Sequence, residues 1–533
     1  MTKEARAEKL YENLWESVEI LRSKMDPNDY KNYLLGLVFY KYLSDKLLYC
    51  SAELLEKEPK NLKEAQNIYE EACSDPKLSS NLIEGIKEEI SFVIEPDLTF
   101  TSLIEKAYGK KFELKKLKNA FEKIEQSNDL FVSLFQDVDL NSKKLGPTIE
   151  KQTETLTEVM KKIYECDLLV ESDVVGDAYE SLIGKFASIS GKTAGEFYTP
   201  QPVSELMARI VMQGKQNKMG VSVYDPTMGS GSLLLTVKKY SEEKNTISYF
   251  GQEINNSTFN LARMNMILHG VDISNQTLRN GDTLGSDWPV EKPVYFDTVI
   301  MNPTYSVKWS ADKELLEDPR FSSYGVLAPK SKADFAFLLH GFHHLKSDGT
   351  MAIVLPHGVL FRGGAESVIR EKLLKQGVIE SVIGLPANIF FNTMIPTTII
   401  VLRKKTENRD VFFIDASELF EKGKSQNKLL KEHILKILKV YTTKKNEPHF
   451  SHLATFNEVE EYDFNLNIPL YVSTVKEEEP IDLKELGKEM NSIDQEIVKS
   501  NQNLLEMLKQ LEGKNEEEEE ILQQFIQTVN WRT

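Results

Sequence analysis

The tetrapeptide Asn302-Pro303-Thr304-Tyr305 follows directly on the apolar run FDTVIM at residues 296–301. An Asn-Pro pair at the end of a buried strand is commonly just a turn. The same residue types also answer a particular chemical difficulty. An exocyclic aromatic amine such as adenine N6 is a poor nucleophile because its lone pair is delocalised into the ring. The Asn302 side-chain oxygen and the Pro303 carbonyl can accept both amine hydrogens and favour tetrahedral nitrogen, and the Tyr305 ring offers a stacking face to an extruded base.

Three further groups precede it. In VSVYDPTMGSGSLLLTV (221–237) a buried strand runs into Asp225, a turn containing Gly229 and Gly231, and a helix starting near Ser232. Glycines there let backbone approach a ligand, and the helix start presents unpaired N–H groups. A lone GSG reads equally well as a structural turn, and its spacing is not the GxGxxG of dinucleotide enzymes. Glu253 ends the next run, ISYFGQE (247–253), where a carboxylate can accept from both ribose hydroxyls of an adenosine-containing ligand; otherwise it is an exposed strand-end acid. Asp282, in NGDTL, stands near the end of the following strand, either within reach of an adenine amine or as a turn aspartate. For metals the expectation is none: HExxH is absent, and His340, His343 and His344 read as residues capping or flanking a helix.

The elements that position these groups alternate. Short apolar runs at 221–224, 247–251, 296–301, 350–355, 379–385 and 397–402 are separated by stretches of helical period, which predicts an α/β domain around a mainly parallel sheet over residues 166–410. Residues 1–165 show helical periodicity and few strand signals, predicting an all-helical N-terminal domain. A connecting α/β region is expected over 411–474. From 475 to 533 a helical tail carries a heptad seam at Leu486, Met490, Ile493, Ile497, Ser500, Leu504, Met507 and Leu511. Such a stripe needs cover, from a partner helix or from the helix after the acidic run at 516–520.

Composition limits the function. The 533 residues make several domains at about 150 residues each. With 82 acidic against 65 basic residues the net charge is −17, so the chain as a whole repels a phosphate backbone. The three cysteines show no CxxC spacing, and no window approaches the roughly 18 apolar residues that span a bilayer, so a soluble cytoplasmic protein is expected.

Taken together the motifs resemble those of the adenine-N6 DNA methyltransferases, and specifically the modification subunit of bacterial type I restriction-modification systems. GEFYTPQPV (195–203) looks like the family's segment upstream of the glycine loop, DPTMGSGS like its first cofactor motif, GQE like its acidic ribose ligand, and NPTY stands where the family has Asn-Pro-Pro-Phe or Asn-Pro-Pro-Tyr. The order of motifs is similar to the γ arrangement. The resemblance implies a Rossmann-like S-adenosylmethionine-dependent methyltransferase domain. It assigns cofactor contacts to Glu196, Phe197, Tyr198, Thr199, Pro200, Gln201, Ser230, Gly231, Ser232 and Glu253. Asp225 and Gly229 would shape the loop, and Asn302, Pro303 and Tyr305 would carry the base.

The resemblance also implies partners: a specificity subunit bound through the C-terminal helices, a second modification subunit, a restriction subunit, and double-stranded DNA with a flipped adenine. It agrees with the acidic balance, since a separate chain would read the target. Other enzymes with NPPY-type motifs methylate RNA or protein glutamine, and a cofactor-binding scaffold with weak turnover is the remaining alternative, resting on Thr304. Proline there would fix φ near −65° and stiffen the accepting carbonyl. Thr304→Pro is therefore expected to raise methyl transfer while leaving cofactor affinity unchanged; equal rates in a tritiated-methyl assay would show that the threonine costs nothing.

Overall fold

The computed structural model describes residues 2–189, 198–285, 287, 289, 294–391, 393–405, 408–424, 426–473 and 483–530. They form two compact units, Met1–Ser473 and Thr474–Thr533. Among the described residues no helix is long and apolar enough to cross a membrane.

Among the described residues nine α-helices open the first unit: α1 (Lys3–Glu16), α2 (Val18–Arg22), α3 (Pro27–Leu54), α4 (Leu62–Ser74), α5 (Pro76–Ile90), α6 (Phe100–Tyr108), α7 (Leu114–Ser127), α8 (Ile149–Tyr164) and α9 (Ser172–Ile189). Helix α3 is their axis. It starts with Pro27 at its first turn, where a missing N–H costs nothing, and every residue from 33 to 45 is buried. Helix α9 turns Tyr179, Leu182, Ile183 and Phe186 into the same core, which also takes Leu261, Met264 and Leu268 from a helix of the α/β part. The helical core thus extends past residue 165 and is shared with the α/β part.

That part is built on a nine-stranded sheet: β1 (Ser222–Asp225), β2 (Ser248–Glu253), β3 (Gln276–Asn280), β4 (Phe296–Met301), β5 (Leu345–Pro356), β6 (Ile379–Gly384), β7 (Thr397–Arg403), β8 (Val411–Asp415) and, after a small hairpin of β9 (Glu421–Lys422) and β10 (Asn427–Lys428), β11 (Ser451–Ala454). The spatial order is β11-β8-β6-β7-β5-β4-β1-β2-β3. Strands β5, β4, β1, β2 and β3 run parallel to one another, and β7 is antiparallel to both its neighbours. The boundary expected at residue 410 falls inside this sheet, since β8 pairs with β6 and β11 with β8.

Alternate residues of each strand enter opposite cores, as the period of two requires. Val223, Ile300, Ala352, Val354, Ile399 and Val401 face α10 (Gln201–Val211), α11 (Ser232–Lys238), α12 (Asn256–Leu268) and α15 (Lys431–Thr443). Tyr224, Val299, Met301, Met351, Ile353, Ile400 and Leu402 face α13 (Asp334–His343), α14 (Ala365–Lys375) and α16 (Phe456–Glu461). Covering both faces explains why these strands read as continuous apolar runs.

In the second unit α17 (Leu483–Leu508) packs on α18 (Glu516–Asn530). The acidic run is the first turn of α18, where the Asn515 side chain accepts from the Glu518 N–H at 2.8 Å and carboxylates meet the positive helix end. The heptad seam stays open: Met490 is 59% exposed, Ile493 51%, Ile497 50% and Met507 68%.

Helices α9 and α12 approach closely at Gly176, where an added Cβ would lie 2.5 to 2.6 Å from three atoms of the His269 imidazole. Gly176→Ala is expected to destabilise the protein by about 1–3 kcal/mol through overpacking against a rigid ring, measured by urea unfolding.

Candidate active site

The glycine loop leaves β1 at Asp225, which is fully buried. Its Oδ1 accepts from the Thr227 N–H at 2.9 Å and the Thr227 hydroxyl at 3.3 Å, closing the turn, while the Met228 N–H donates to the Gln252 carbonyl at 2.9 Å. Gly229 and Gly231 adopt φ of 56° and 79°, values that a side chain would strain. Burial pushes the Asp225 carboxyl up to about 8, with the Glu253 charge adding to the effect and the Thr227 hydrogen bonds opposing it. Its second oxygen, Oδ2, is buried without a hydrogen bond.

Glu253, at the end of β2, is held on both oxygens: Oε2 accepts from the Gly229 N–H at 3.2 Å and Oε1 from the Asn255 N–H at 2.7 Å. It lines a cavity of about 460 Å³ with Thr227, Gln252, Ile254, Asp282 and Asn302. The volume lies in the range of small-molecule sites. Asp282 accepts from the Leu284 N–H at 3.1 Å, and Thr283 donates to the Pro226 carbonyl at 2.7 Å, tying this wall to the glycine loop. Apolar surface comes from Trp309, Phe337 and Ile254, the last 69% exposed.

At the end of β4 the Asn302 amide is oriented from two sides. Its Nδ2 donates to Thr199 Oγ1 at 3.1 Å, and its Oδ1 accepts from the Tyr305 hydroxyl at 2.8 Å. Asn302 lines both the large cavity and a tight cleft of about 10 Å³ formed with Tyr198, Thr199, Met228, Gly229 and Ser232. The loop beyond is braced by Asp334, which accepts from the Ser306 N–H at 2.7 Å and pairs with Arg362 at 2.9 Å.

Most residues singled out in the sequence meet here, with differences. Tyr198 and Thr199 reach the cleft, whereas Pro200 and Gln201 open α10, the Pro200 carbonyl accepting from Val203 and Ser204. Glu196 and Phe197 lie outside the described residues. Ser230 and Ser232 turn their hydroxyls inward onto each other at 3.1 Å, and Asn265 takes the Ser230 carbonyl at 3.0 Å, so Ser230 offers a ligand backbone alone. The Tyr305 ring packs edge-on to Phe390, centroids 6.0 Å apart, and is not among the residues lining the cavity.

The apolar walls and two residues from the helical region belong to no motif in the sequence. Asn28 and Lys31, at the start of α3, line the large cavity. They are brought there because α12, which follows Glu253 directly, is stitched to the segment after α7: Asn260 donates to the Ser133 carbonyl at 2.9 Å, and Arg263 to the carbonyls of Leu130 and Val132 at 2.9 and 3.0 Å. An exposed isoleucine immediately after Glu253 was the one local signal available; Lys31 had none.

Elsewhere, Asp177, Glu180 and His269 bring ligand-type atoms within 4.8 Å of one another, and the Lys239 ammonium already neutralises Asp177 at 2.8 Å.

This arrangement, an adenosine-sized cavity at the carboxyl edge with a strand-end Asn-Pro beside it, agrees with the family models. Residues 170–480 match the model described as N-6 DNA Methylase, and residues 10–163 match the HsdM N-terminal domain. The chain belongs to the N-6 DNA methylase family. Its relatives include the methylase subunit of the type I restriction enzyme MpnII of Mycoplasma pneumoniae, 38% identical over 90% of this chain and 92% of that one. The MjaVIII methylase subunit of Methanocaldococcus jannaschii is 30% identical over 95% and 85%. A crystal structure of a type I restriction-modification methyltransferase subunit from Streptococcus thermophilus superposes with a TM-score of 0.87 at 57% identity, covering 88% of this methylase and all (100%) of that chain. Of the substrates the tetrapeptide left open, DNA is the one this family methylates, at adenine N6; the methylase is an adenine-specific DNA methyltransferase of the type I kind.

The buried acid gives the methylase a pH signature. Asp225 keeps its proton in the fold up to about pH 8, whereas the unfolded chain ionises above about pH 4, so stability falls as pH rises between those values and not beyond. Asp225→Asn keeps the acceptor for Thr227 and should flatten that slope, adding on the order of 1–2 kcal/mol at pH 7.5; unfolding titrations across pH 4.5 to 8.5 read it directly.

Proposed function

We propose that this methylase moves the sulfonium methyl of S-adenosylmethionine to N6 of an adenine flipped out of double-stranded DNA, at sites chosen by a separate specificity subunit. The observation that carries it is Asn302, held at the junction of the cavity and the cleft with its amide oriented by Thr199 and Tyr305. The residues present suit the cofactor. Glu253 offers a fixed carboxylate for ribose hydroxyls, Asp282 an acceptor for an adenine amine, and Ile254 and Phe337 apolar surface. When bound, the cofactor supplies a methyl group on a cationic sulfur, ready for direct displacement.

The protein supplies the rest. Asn302 Oδ1 and the Pro303 carbonyl accept the two amine hydrogens, drawing the nitrogen lone pair out of conjugation. Methylation would leave the amine with a positive charge, and one of the two hydrogens held by Asn302 Oδ1 and the Pro303 carbonyl would then pass to solvent, restoring a neutral N6-methylamine. The Tyr305 hydroxyl shares Asn302 Oδ1, so entry of the amine exchanges or supplements that bond, while the ring, edge-on to Phe390, holds the hydroxyl in place. Positioning and exclusion of water provide most of the rate. By the resemblance, Glu196 and Phe197 complete the cofactor segment with Tyr198, Thr199, Pro200 and Gln201.

Sequence choice lies with a partner. The apolar seam of α17 is open to solvent, the chain is strongly acidic, and a specificity subunit's helices fit both facts, with two modification subunits per complex, a restriction subunit joining them and the assembly working in the cytoplasm.

Asn302→Ala is expected to lower methyl transfer at least about a thousandfold with little change in cofactor affinity. Sequencing of modified bases from cells carrying either form should show N6-methyladenine at a split site for the unaltered chain alone; a modified site in the variant would move the chemistry elsewhere. Removing residues 475–533 should abolish co-purification with the specificity subunit and leave cofactor binding intact.

A further inference from the structure

Arg320 is 2% exposed although its charge is permanent, and nothing in the transfer chemistry places it there. It is held by Asp318, whose carboxylate accepts from Nε at 3.0 and 3.1 Å and from Nη2 at 2.7 Å. The rest of the guanidinium points at the wall of the cavity. Nη1 donates to the Thr283 carbonyl at 2.8 Å, and Nη2 reaches the carbonyls of Leu284 and Gly285 at 3.5 and 3.4 Å. These carbonyls belong to the short segment that follows Asp282, and Asp282, Thr283 and Leu284 all line the cavity.

A second path leaves the same guanidinium. Nη1 lies 3.2 Å from His340 Nδ1. Arginine has no acceptor, so Nδ1 accepts and the imidazole proton sits on Nε2, 2.7 Å from the Tyr224 hydroxyl. Burial, with the nearby His344 and Arg320, holds His340 well below its ordinary value, so the ring is neutral and this tautomer is the one present. Tyr224 accepts from His340 and donates to Gln252 Oε1, which leaves the Gln252 amide nitrogen turned to Asp287 Oδ2 at 3.1 Å. The series is directional from Arg320 Nη1 to Gln252, whose amide nitrogen donates to both the carbonyl and the carboxylate of Asp287. It ends on Gln252, which lines the cavity beside Glu253.

We propose that Arg320 and Tyr224 are positioning residues for the adenine end of the cofactor. Arg320 sets the backbone that presents Asp282, and through His340 and Tyr224 it fixes the amide of Gln252 in the adjacent wall. Neither touches the ligand. Cutting the series lets the 282–285 segment and the Gln252 amide take other orientations, and the cavity then loses its preference for a base bearing an exocyclic amine. This rests on the reading that the cavity takes S-adenosylmethionine.

The test measures binding of sinefungin, an unreactive cofactor analogue, and of its counterpart with hypoxanthine in place of adenine, to the full-length chain by calorimetry. The unaltered protein should prefer sinefungin by about tenfold or more. Tyr224→Phe keeps the core packed and removes one hydroxyl; it should weaken sinefungin about fivefold and bring the preference below about threefold, with the cofactor KM rising more than kcat falls. Arg320→Met should do the same more severely, and Arg320→Lys, which keeps charge but cannot span all its acceptors, should recover part of the loss. If Arg320→Met fails to fold, Tyr224→Phe still decides. Unchanged affinity and preference in Tyr224→Phe, or an equal loss for both ligands, would overturn the proposal. Failure of the unaltered chain to bind sinefungin at all would instead overturn the cofactor reading.

Discussion

Five parallel strands, in the order β5-β4-β1-β2-β3, impose the site on this molecule. The chain lays down β1, moves outward to β2 and β3, then returns across β1 to place β4 on its other side. At that reversal the connections leaving β1 and β4 diverge, and a crevice opens at the carboxyl edge. Asp225 ends β1, Glu253 ends β2, and Asn302 follows β4, so three groups far apart in sequence reach one crevice because their strands share a direction. A glycine loop with two positive φ values then brings backbone N–H groups into the same space.

The crevice is not made by the sheet alone. Its rim includes Asn28 and Lys31 from the helical region, and α12 is what binds that region to the sheet. Arg263 and Asn260 of α12 spend their hydrogen bonds on carbonyls after α7, while Ala262 and Met266 of the same helix pack on the sheet. One short helix therefore belongs to two cores, and Glu253 stands just before it. The wall that carries Glu253 is therefore tied to the helical region through α12. The polar series from Arg320 to Gln252 ties the 282–285 segment to the residue beside Glu253, in a core where an unpaired polar atom would be costly.

The acidic balance that first argued against DNA describes a division of work. In the function proposed above the crevice would supply the chemistry and the exposed seam of α17 the attachment, and neither would require the broad basic surface of a protein that reads DNA unaided.

Much of this was local and therefore legible. The strands of the sheet's centre are apolar runs because both faces are covered, the glycine loop and Asn302-Pro303 sit at strand ends, and the stripe Tyr179, Leu182, Ile183 and Phe186 shows helical period. Strand β3 was legible only by inference, since QTLRN lies at the sheet's edge and has no apolar run to mark it. The continuation of the sheet into β8 and β11 was lost because long-range pairing leaves no local trace. Side-chain direction was beyond reach too: Tyr305 has the right type for a stacking face, yet its ring rests on Phe390 and its hydroxyl on Asn302. Residue types and spacing by themselves determined which chemistry the chain can perform. Tertiary packing alone decided that Lys31 reaches the crevice, and that His340 serves as a neutral link between Arg320 and Tyr224, because both depend on helices and strands meeting across the whole length of the chain.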